Sequence, residues 1–228
     1  MEYKEFAKYY DYFYKNKDYQ KEVKFLMNFI KKQDSIIDIG CGTGIHASLI
    51  SQNGFKVDGL DLNKEMLDIA KTRLKTNLYN QNILNIKIDK KYDIIISMFA
   101  VINHLKDTYE LETCLLNLKK ILKENGKIIM DLHNPQNSGS KTDSYDNMKR
   151  TMKWEYNKET KIEKSIITFE IEGKNYEDLH TFRIFSIDEI IESCKNVGLE
   201  VINVYENYDI NLLGKETSKN LQFLIQYK

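Results

Sequence analysis

The chain has 228 residues, enough to bury one sizeable core, and its 34 Lys+Arg balance 34 Asp+Glu. A zero formal charge gives no chain-wide electrostatic reason to expect a nucleic-acid partner, since phosphate binding needs a basic surface. No run approaches the roughly 18 apolar residues that cross a bilayer, the opening MEYKEFAKYY lacks the apolar stretch of a signal peptide, and Cys41, Cys114 and Cys194 fit neither a disulfide framework nor a metal site. The expectation is a cytoplasmic protein with a small-molecule substrate, no nucleic acid, no membrane and no metal.

Residues 1–33 read as helical and carry many aromatics, among them Phe6, Tyr9, Tyr10, Tyr12, Phe13, Tyr14 and Tyr19. Ser35 to Ile39 is a short apolar run ending at a Gly-rich turn, the pattern of a buried strand. Ile45 to Asn53 reads as a helix with Gly54 at its C-terminal cap. Lys56 to Leu60 is a second strand, ended by Asp61, and Asn63 caps a helix through Leu74 with Met66, Leu67 and Ala70 on one side. A short strand near Leu78 and a strongly apolar one over Tyr92 to Met98 follow. Asp107 and Glu110 resemble a capping box ahead of Leu111, Cys114, Leu115, Leu118, Ile121 and Leu122, which recur at helical period until Gly126. Lys127 to Leu132 is another apolar strand. Strands alternating with helices predict a doubly wound, Rossmann-like α/β parallel sheet.

The pattern changes after His133. Residues 135–147 are polar and read as a mobile loop. Met152–Tyr156, Lys164–Glu172 and Tyr176–Phe185 read as an antiparallel meander, Ser186 caps a helix through Val197, and Glu200–Tyr205 and Leu221–Tyr227 are the last two strands. The organisation is one domain in three parts: residues 1–134 with the N-terminal helices and the ligand-binding half, 135–186 with the loop and the inserted meander, and 187–228 with the last helix and strands.

In a doubly wound sheet the ligand sits beyond the C-terminal strand ends, so the loop Asp38-Ile39-Gly40-Cys41-Gly42-Thr43-Gly44 carries the most information. Its glycines let the backbone turn tightly and approach a ligand, and the helix that starts there offers free N–H groups. The dinucleotide fingerprint is G-x-G-x-x-G; here the glycines follow G-x-G-x-G with an acid two residues ahead. This resembles motif I of class I S-adenosylmethionine (SAM)-dependent methyltransferases. Asp61, 21 residues after Gly40, stands where a carboxylate takes the two ribose hydroxyls of an adenosine cofactor.

Further along, Gln81-Asn82-Ile83 falls where that family carries an Asp and an apolar residue against the adenine, with Asn82 replacing the Asp. Tyr92 to Met98 resembles the family's fourth strand, which would put Met98 near the sulfonium and Phe99 at the cofactor pocket. The segment from Tyr10 to Tyr19, with Glu22, is similar to the opening of N-methyltransferases that act on nucleotide-linked amino sugars of the desosamine and mycaminose type. That resemblance implies a seven-stranded methyltransferase sheet with an inserted antiparallel meander, N-terminal helices folded over SAM, and a homodimer through the insertion. It also implies a cofactor-binding set of Tyr14, Tyr19, Asp38, Gly40, Gly42, Gly44, Asp61, Leu62, Met66, Asn82, Ile83 and Met98. An aromatic face suits a sulfonium.

Methyl transfer from an activated sulfonium needs positioning and exclusion of water more than reactive side chains. An amine acceptor must arrive neutral, and His104 and His133, both just past strand ends, are the two candidate bases. Arg183 reads either as a structural ion pair or as a group for a substrate phosphate, and His180 as a structural residue on a half-buried strand. The reading is methyl transfer from SAM to a small polar acceptor, with the amino nitrogen of a nucleotide-linked sugar as its sharpest form. The rival is an O- or carboxyl-methyltransferase. A nucleotide-dependent oxidoreductase meets the wrong glycine spacing, and base methylation of RNA lacks an Asn/Asp-Pro-Pro-Tyr type motif at Ser97-Met98-Phe99-Ala100.

Overall fold

The computed structural model describes residues 3–145, 148–171 and 173–228. Two helices come first, α1 (Tyr3–Phe13) and α2 (Tyr19–Leu26). They are separate because Asp18 caps α2, accepting from the Lys21 N–H at 2.9 Å. Then β1 (Ile36–Ile39), α3 (Ile45–Gln52), β2 (Val57–Asp61), α4 (Lys64–Arg73), β3 (Leu78–Asn80), β4 (Tyr92–Ser97), α5 (Thr108–Ile121) and β5 (Leu122–His133) alternate. They are followed by β6 (Gly139–Tyr145), β7 (Met148–Asn157), β8 (Ile162–Ile171), β9 (Lys174–Arg183), α6 (Ile187–Asn196), β10 (Leu199–Glu206), β11 (Asp209–Leu213) and β12 (Asn220–Tyr227).

The main sheet has the order β3-β2-β1-β4-β5-β12-β10-β11. Its first five strands are parallel and its last three antiparallel. Alternate residues of one strand serve two cores. Ile37, Ile39 and Ile95 join the cluster that contains Leu111 and Leu115, while Ile36, Ile94 and Ile96 join the one that contains Phe25 and Ile50. A strand covered on both faces must be apolar at every position, which is why β1 and β4 stand out in the sequence. Strand order reverses at β1, opening a crevice beyond the ends of β1 and β4.

The second sheet has the antiparallel order β6-β7-β8-β9. Ile167, Phe169 and Ile171 of β8 bury one face of it against Ala7 and Phe13 of α1 and Met66 of α4. Phe13 and Phe169 stack with ring centroids 4.1 Å apart. The N-terminal helix is thereby held between the main fold and the insertion.

Several elements differ from the sequence-based expectation. The main sheet has eight strands, not seven: β11 adds an edge strand through a two-residue turn, Asn207-Tyr208, with both residues at positive φ. A tight hairpin of that geometry usually announces itself as Asn-Gly or Asp-Gly, so the turn escapes the sequence. The polar stretch 135–147 is not a loop throughout, because Gly139–Tyr145 pairs with β7. An edge strand wet on one side needs little apolar character. Residues 146 and 147, like Glu172 at the end of a predicted strand, lie outside the described residues. Gly126 does not cap α5, which ends at Ile121; it lies inside β5, where a Cβ would come within 3.0 Å of the Asp93 carbonyl oxygen. The capping box at Asp107 is half formed: Asp107 accepts from Glu110 N–H at 2.9 Å, but Glu110 accepts from Lys106 N–H instead of the cap's own. Among the described residues no helix is long and apolar enough to cross a membrane.

Phe169→Ala removes the ring that docks the insertion on α1. Loss of a buried aromatic of this size costs about 3–5 kcal/mol, and urea unfolding of the variant is expected to show a midpoint lowered accordingly.

Candidate active site

The loop after β1 turns through three left-handed glycines, with φ of +71° at Gly40, +54° at Gly42 and +79° at Gly44. The Gly40 and Cys41 N–H groups both donate to the Leu60 carbonyl, at 2.7 and 3.0 Å, which ties the loop to the end of β2. Asp61 completes the tie. Its Oδ2 accepts from Gly42 N–H and its Oδ1 from Asn63 N–H, each at 2.8 Å. A Cβ on Gly40 would come within 2.4 Å of Val101, whereas one on Gly42 would meet no protein atom within 4 Å. Gly40 is thus packed, and Gly42 offers its backbone to open space.

Asp38 lies buried under this loop with Oδ2 unpartnered. Burial pushes its carboxyl up to about 7, with the nearby charges of Asp61 and Asp131 adding to the rise and His46 opposing it. The Tyr19 hydroxyl is also buried without a partner, and its ring meets the His46 ring edge-on at 5.1 Å. Buried polar atoms are normally satisfied, so these two oxygens leave the crevice with hydrogen-bonding capacity that the described protein atoms do not fill. Glu22 accepts from His46 Nε2 at 2.6 Å and pairs with Lys17. Burial pushes Glu22 upward, but the His46 hydrogen bond and the Lys17 charge prevail and hold it below the usual carboxylate range. The Lys17 ammonium stands over the rings of Tyr19 and Phe99, 4.2 and 4.7 Å from their centroids.

Beyond β4 the chain makes an unusual turn: Phe99 and Ala100 both have positive φ, 71° and 61°. Such conformations cost on the order of 1–3 kcal/mol each for residues with a Cβ. The buried Asp131 of β5 holds them, its Oδ2 accepting from Phe99 N–H at 2.8 Å and its Oδ1 from Ala100 N–H at 2.7 Å. The Tyr208 hydroxyl donates to the same carboxylate at 2.7 Å. The turn aims Phe99 at Tyr14, the rings meeting edge-on at 4.9 Å.

A cavity of about 770 Å³ fills the crevice, within the range of small-molecule sites. Of the residues singled out from the sequence, Tyr19, Gly40, Gly42, Asp61, Leu62, Met66, Asn82, Ile83, Met98 and His104 line it. Asp38 lies beneath it, and Gly44 is packed on Ala70 and Leu74 at the start of α3. Tyr14 stands behind Tyr10, 4.8 Å between centroids, and Tyr10 lines the cavity in its place. His133 does not line the cavity; its Nε2 is 3.0 Å from Glu163. Asn82 accepts from Leu84 N–H at 2.8 Å, which fixes its oxygen away from a second role as the main acceptor and leaves its amide N–H groups as donors. Arg183 pairs with Glu189 at 2.6 Å and donates to the Ile184 carbonyl, which is the ion pair of the fold that the sequence offered as one of its two readings.

Sequence reasoning missed three features. Asp11 of α1 accepts from Thr43 Oγ1 at 2.5 Å and pairs with Arg73, pinning the N-terminal helix to the glycine loop. Tyr10 was indistinguishable from its aromatic neighbours until the helix phase was known. His180 lines the cavity, its ring 6.1 Å from that of His104, brought there by a sheet whose docking has no local signal.

A doubly wound sheet, a left-handed G-x-G-x-G loop at its switch point and an acid at the end of the next strand match the class I fold of SAM-dependent methyltransferases. Residues 7–204 match the family described as a methyltransferase domain, and the chain belongs to that family. It is 27% identical over 129 residues, 54% of each chain, to the dTDP-3-amino-3,4,6-trideoxy-alpha-D-glucopyranose N,N-dimethyltransferase of Streptomyces venezuelae, so it spans about half the length of that relative. A SAM-dependent methyltransferase from Clostridium acetobutylicum has the same fold, with a TM-score of 0.85 and 22% identity over 99% of this chain and 98% of that one. Streptomyces venezuelae DesVI superposes with a TM-score of 0.80 and 22% identity, covering 97% and 98% of the two chains.

Asp131→Asn replaces one acceptor oxygen by an NH2 group that faces a backbone donor. Leaving that donor unpaired costs about 1–3 kcal/mol, and the strained turn should relax. The expected outcome is a lower denaturation midpoint together with weaker S-adenosylhomocysteine binding by calorimetry; unchanged values for both would show that the turn holds itself.

Proposed function

We propose that the chain transfers a methyl group from SAM to the amino nitrogen of a nucleotide-linked sugar. The observation that carries this reading is the second end of the cavity. Past the glycine loop, Asp61 and Asn82, the cavity continues to a wall of His104, Lys106, Glu110 and His180 that the cofactor does not need. A small polar acceptor matches that mixed and titratable wall. The sugar N,N-dimethyltransferase relative supports the choice of an amine.

The residues present suit the cofactor. In this reading the unpartnered Asp38 oxygen and the Tyr19 hydroxyl serve the methionine end, and Asp61 takes the ribose hydroxyls through lone pairs left by its two backbone bonds. Gly40, Gly42 and Gly44 keep the backbone close, Leu62, Met66 and Ile83 contribute apolar walls, and Asn82 donates to the adenine ring. Met98 and the aromatic group of Tyr10, Tyr19 and Phe99 stand at the sulfonium, with Tyr14 behind Tyr10. When bound, SAM supplies a methyl group already activated by the positive sulfur. The protein's part is to orient the acceptor, exclude water and keep the nitrogen unprotonated. Burial, with the charge of His180 adding, holds His104 down at about 4, so it is a neutral wall at working pH. His133, committed to Glu163, is left to structure.

The test is incubation with SAM and dTDP-3-amino-3,4,6-trideoxyglucose, with mass spectrometry reading the gain of one or two methyl groups. Methylation of hydroxyl or carboxylate acceptors in place of this amine would favour the O-methyltransferase reading. Separately, Asp61→Ala is expected to weaken SAM binding by on the order of 1–3 kcal/mol in calorimetry, and Gly42→Val to abolish it. A wild-type Kd in Asp61→Ala would reduce Asp61 to a turn residue.

A further inference from the structure

We propose that Lys17 is a specificity-determining residue that makes the site favour S-adenosylhomocysteine over SAM, because it is a resident cation in the aromatic group that meets the sulfonium; this rests on the placement of the sulfonium at Tyr19 and Phe99. The Lys17 ammonium lies over the faces of both rings, 4.2 Å from the Tyr19 centroid and 4.7 Å from that of Phe99. Both rings line the cavity, and Lys17 itself does not. Aromatic faces that converge on one point attract an onium group. Here the chain supplies a cation of its own to the same rings.

The ammonium is held in place from several sides. Lys17 lies between α1 and α2, where its N–H donates to the Tyr14 carbonyl at 3.0 Å and its carbonyl accepts from the Tyr19 N–H at 2.9 Å. Its side chain is only 15% exposed and pairs with Glu22, the condition under which a lysine is retained at such burial. Phe99 is aimed by the turn that Asp131 holds. Tyr19 presents a neutral ring, since burial, and after it the charge of Glu22, pushes its hydroxyl up. Arg73, a second cation that acts on Tyr19, is matched by Asp11.

SAM and S-adenosylhomocysteine differ by one methyl group and by the positive charge on sulfur. Their adenine, ribose, ammonium and carboxylate are the same. A fixed cation that shares its rings with the sulfur therefore repels SAM and spares the product, and Glu22 offsets part of that repulsion. The repulsion also has a direction along the reaction. As the methyl C–S bond breaks, its electron pair returns to sulfur and the methyl bonds to the acceptor's lone pair, so positive charge leaves the sulfur that Lys17 faces. An interaction worse in the ground state than in the transition state speeds the step.

The experiment titrates SAM and S-adenosylhomocysteine by calorimetry into wild type, Lys17→Met, Lys17→Arg and Glu22→Gln. No acceptor is added, so the outcome is independent of the amine-methylation reading. The quantity read is the Kd of SAM divided by the Kd of S-adenosylhomocysteine. It is expected to fall about tenfold in Lys17→Met, the effect of removing one like charge from a partly buried site. It should keep its wild-type value in Lys17→Arg and rise in Glu22→Gln, where the ammonium is left uncompensated. A merely structural role weakens both ligands together and leaves the quotient unmoved. If Lys17→Met does not fold, the rise in Glu22→Gln decides. A wild-type quotient in Lys17→Met, or a quotient in Glu22→Gln that stays or falls, overturns the proposal. Phe99→Leu separates the two ways of failing, since loss of a ring that attracts the sulfonium should raise the quotient. A raised value there beside a wild-type value in Lys17→Met overturns the role of Lys17 alone. Wild-type values in both overturn the placement of the sulfonium as well.

Discussion

Three carboxylates buried together at the ends of parallel strands govern this molecule. Asp38 on β1, Asp61 on β2 and Asp131 on β5 converge on one crevice, and the other two raise the cost of ionising Asp38. A fold would not gather them for stability, since an isolated buried charge is expensive. Two of them are engaged by backbone N–H groups: Asp61 by Gly42 and Asn63, Asp131 by Phe99 and Ala100. Those bonds build the two turns that frame the crevice. The third keeps a free oxygen. The result is a concave site whose framing turns are held by buried carboxylates and whose floor keeps one unpartnered acceptor oxygen. The Lys17 ammonium stands over Tyr19 and Phe99, paired with Glu22.

The roof of the site is coupled to its floor through few contacts. Asp11 joins α1 to Thr43 of the glycine loop and to Arg73 of α4. Arg150 of the second sheet donates to the Phe13 carbonyl at 3.0 Å and to Asp143 at 2.5 Å. Phe13 and Phe169 supply the apolar part of the same joint. α1 is thereby tied both to the insertion and to the glycine loop. The hydrogen bonds here are charge-assisted and partly shielded, the condition under which such pairs contribute most.

The cofactor half was legible in the sequence for a physical reason. A strand buried on both faces has to be apolar throughout, a left-handed turn against a ligand has to be glycine, and the acid has to fall one βα unit later; these are local constraints that leave local signs. The four-stranded sheet leaves weaker ones. Gly139–Tyr145 is a strand because β7 is beside it, and nothing in Ser140-Lys141-Thr142-Asp143 requires it. Tyr10 and Tyr14 differ by one helical turn, and only the packed phase of α1 decides that Tyr10 faces the cavity. His133, just past a strand end, looked as well placed as His104, yet its neighbour Glu163 comes from a strand 30 residues away.

The same contrast explains why the acceptor is harder to read than the cofactor. The cofactor end is made by consecutive strands of one sheet, whose order and handedness are constrained. The acceptor wall proposed above joins His104 and Lys106, just past β4, Glu110 at the start of α5, and His180 from the inserted sheet. Their meeting depends on how the insertion docks, and docking is shared by Phe13, Phe169 and Arg150 with Met66, with Asn103 donating to the Arg183 carbonyl and with the His133–Glu163 pair. Substitutions at that joint can therefore re-aim the acceptor wall while the glycine loop, Asp61 and Asp131 stay as they are.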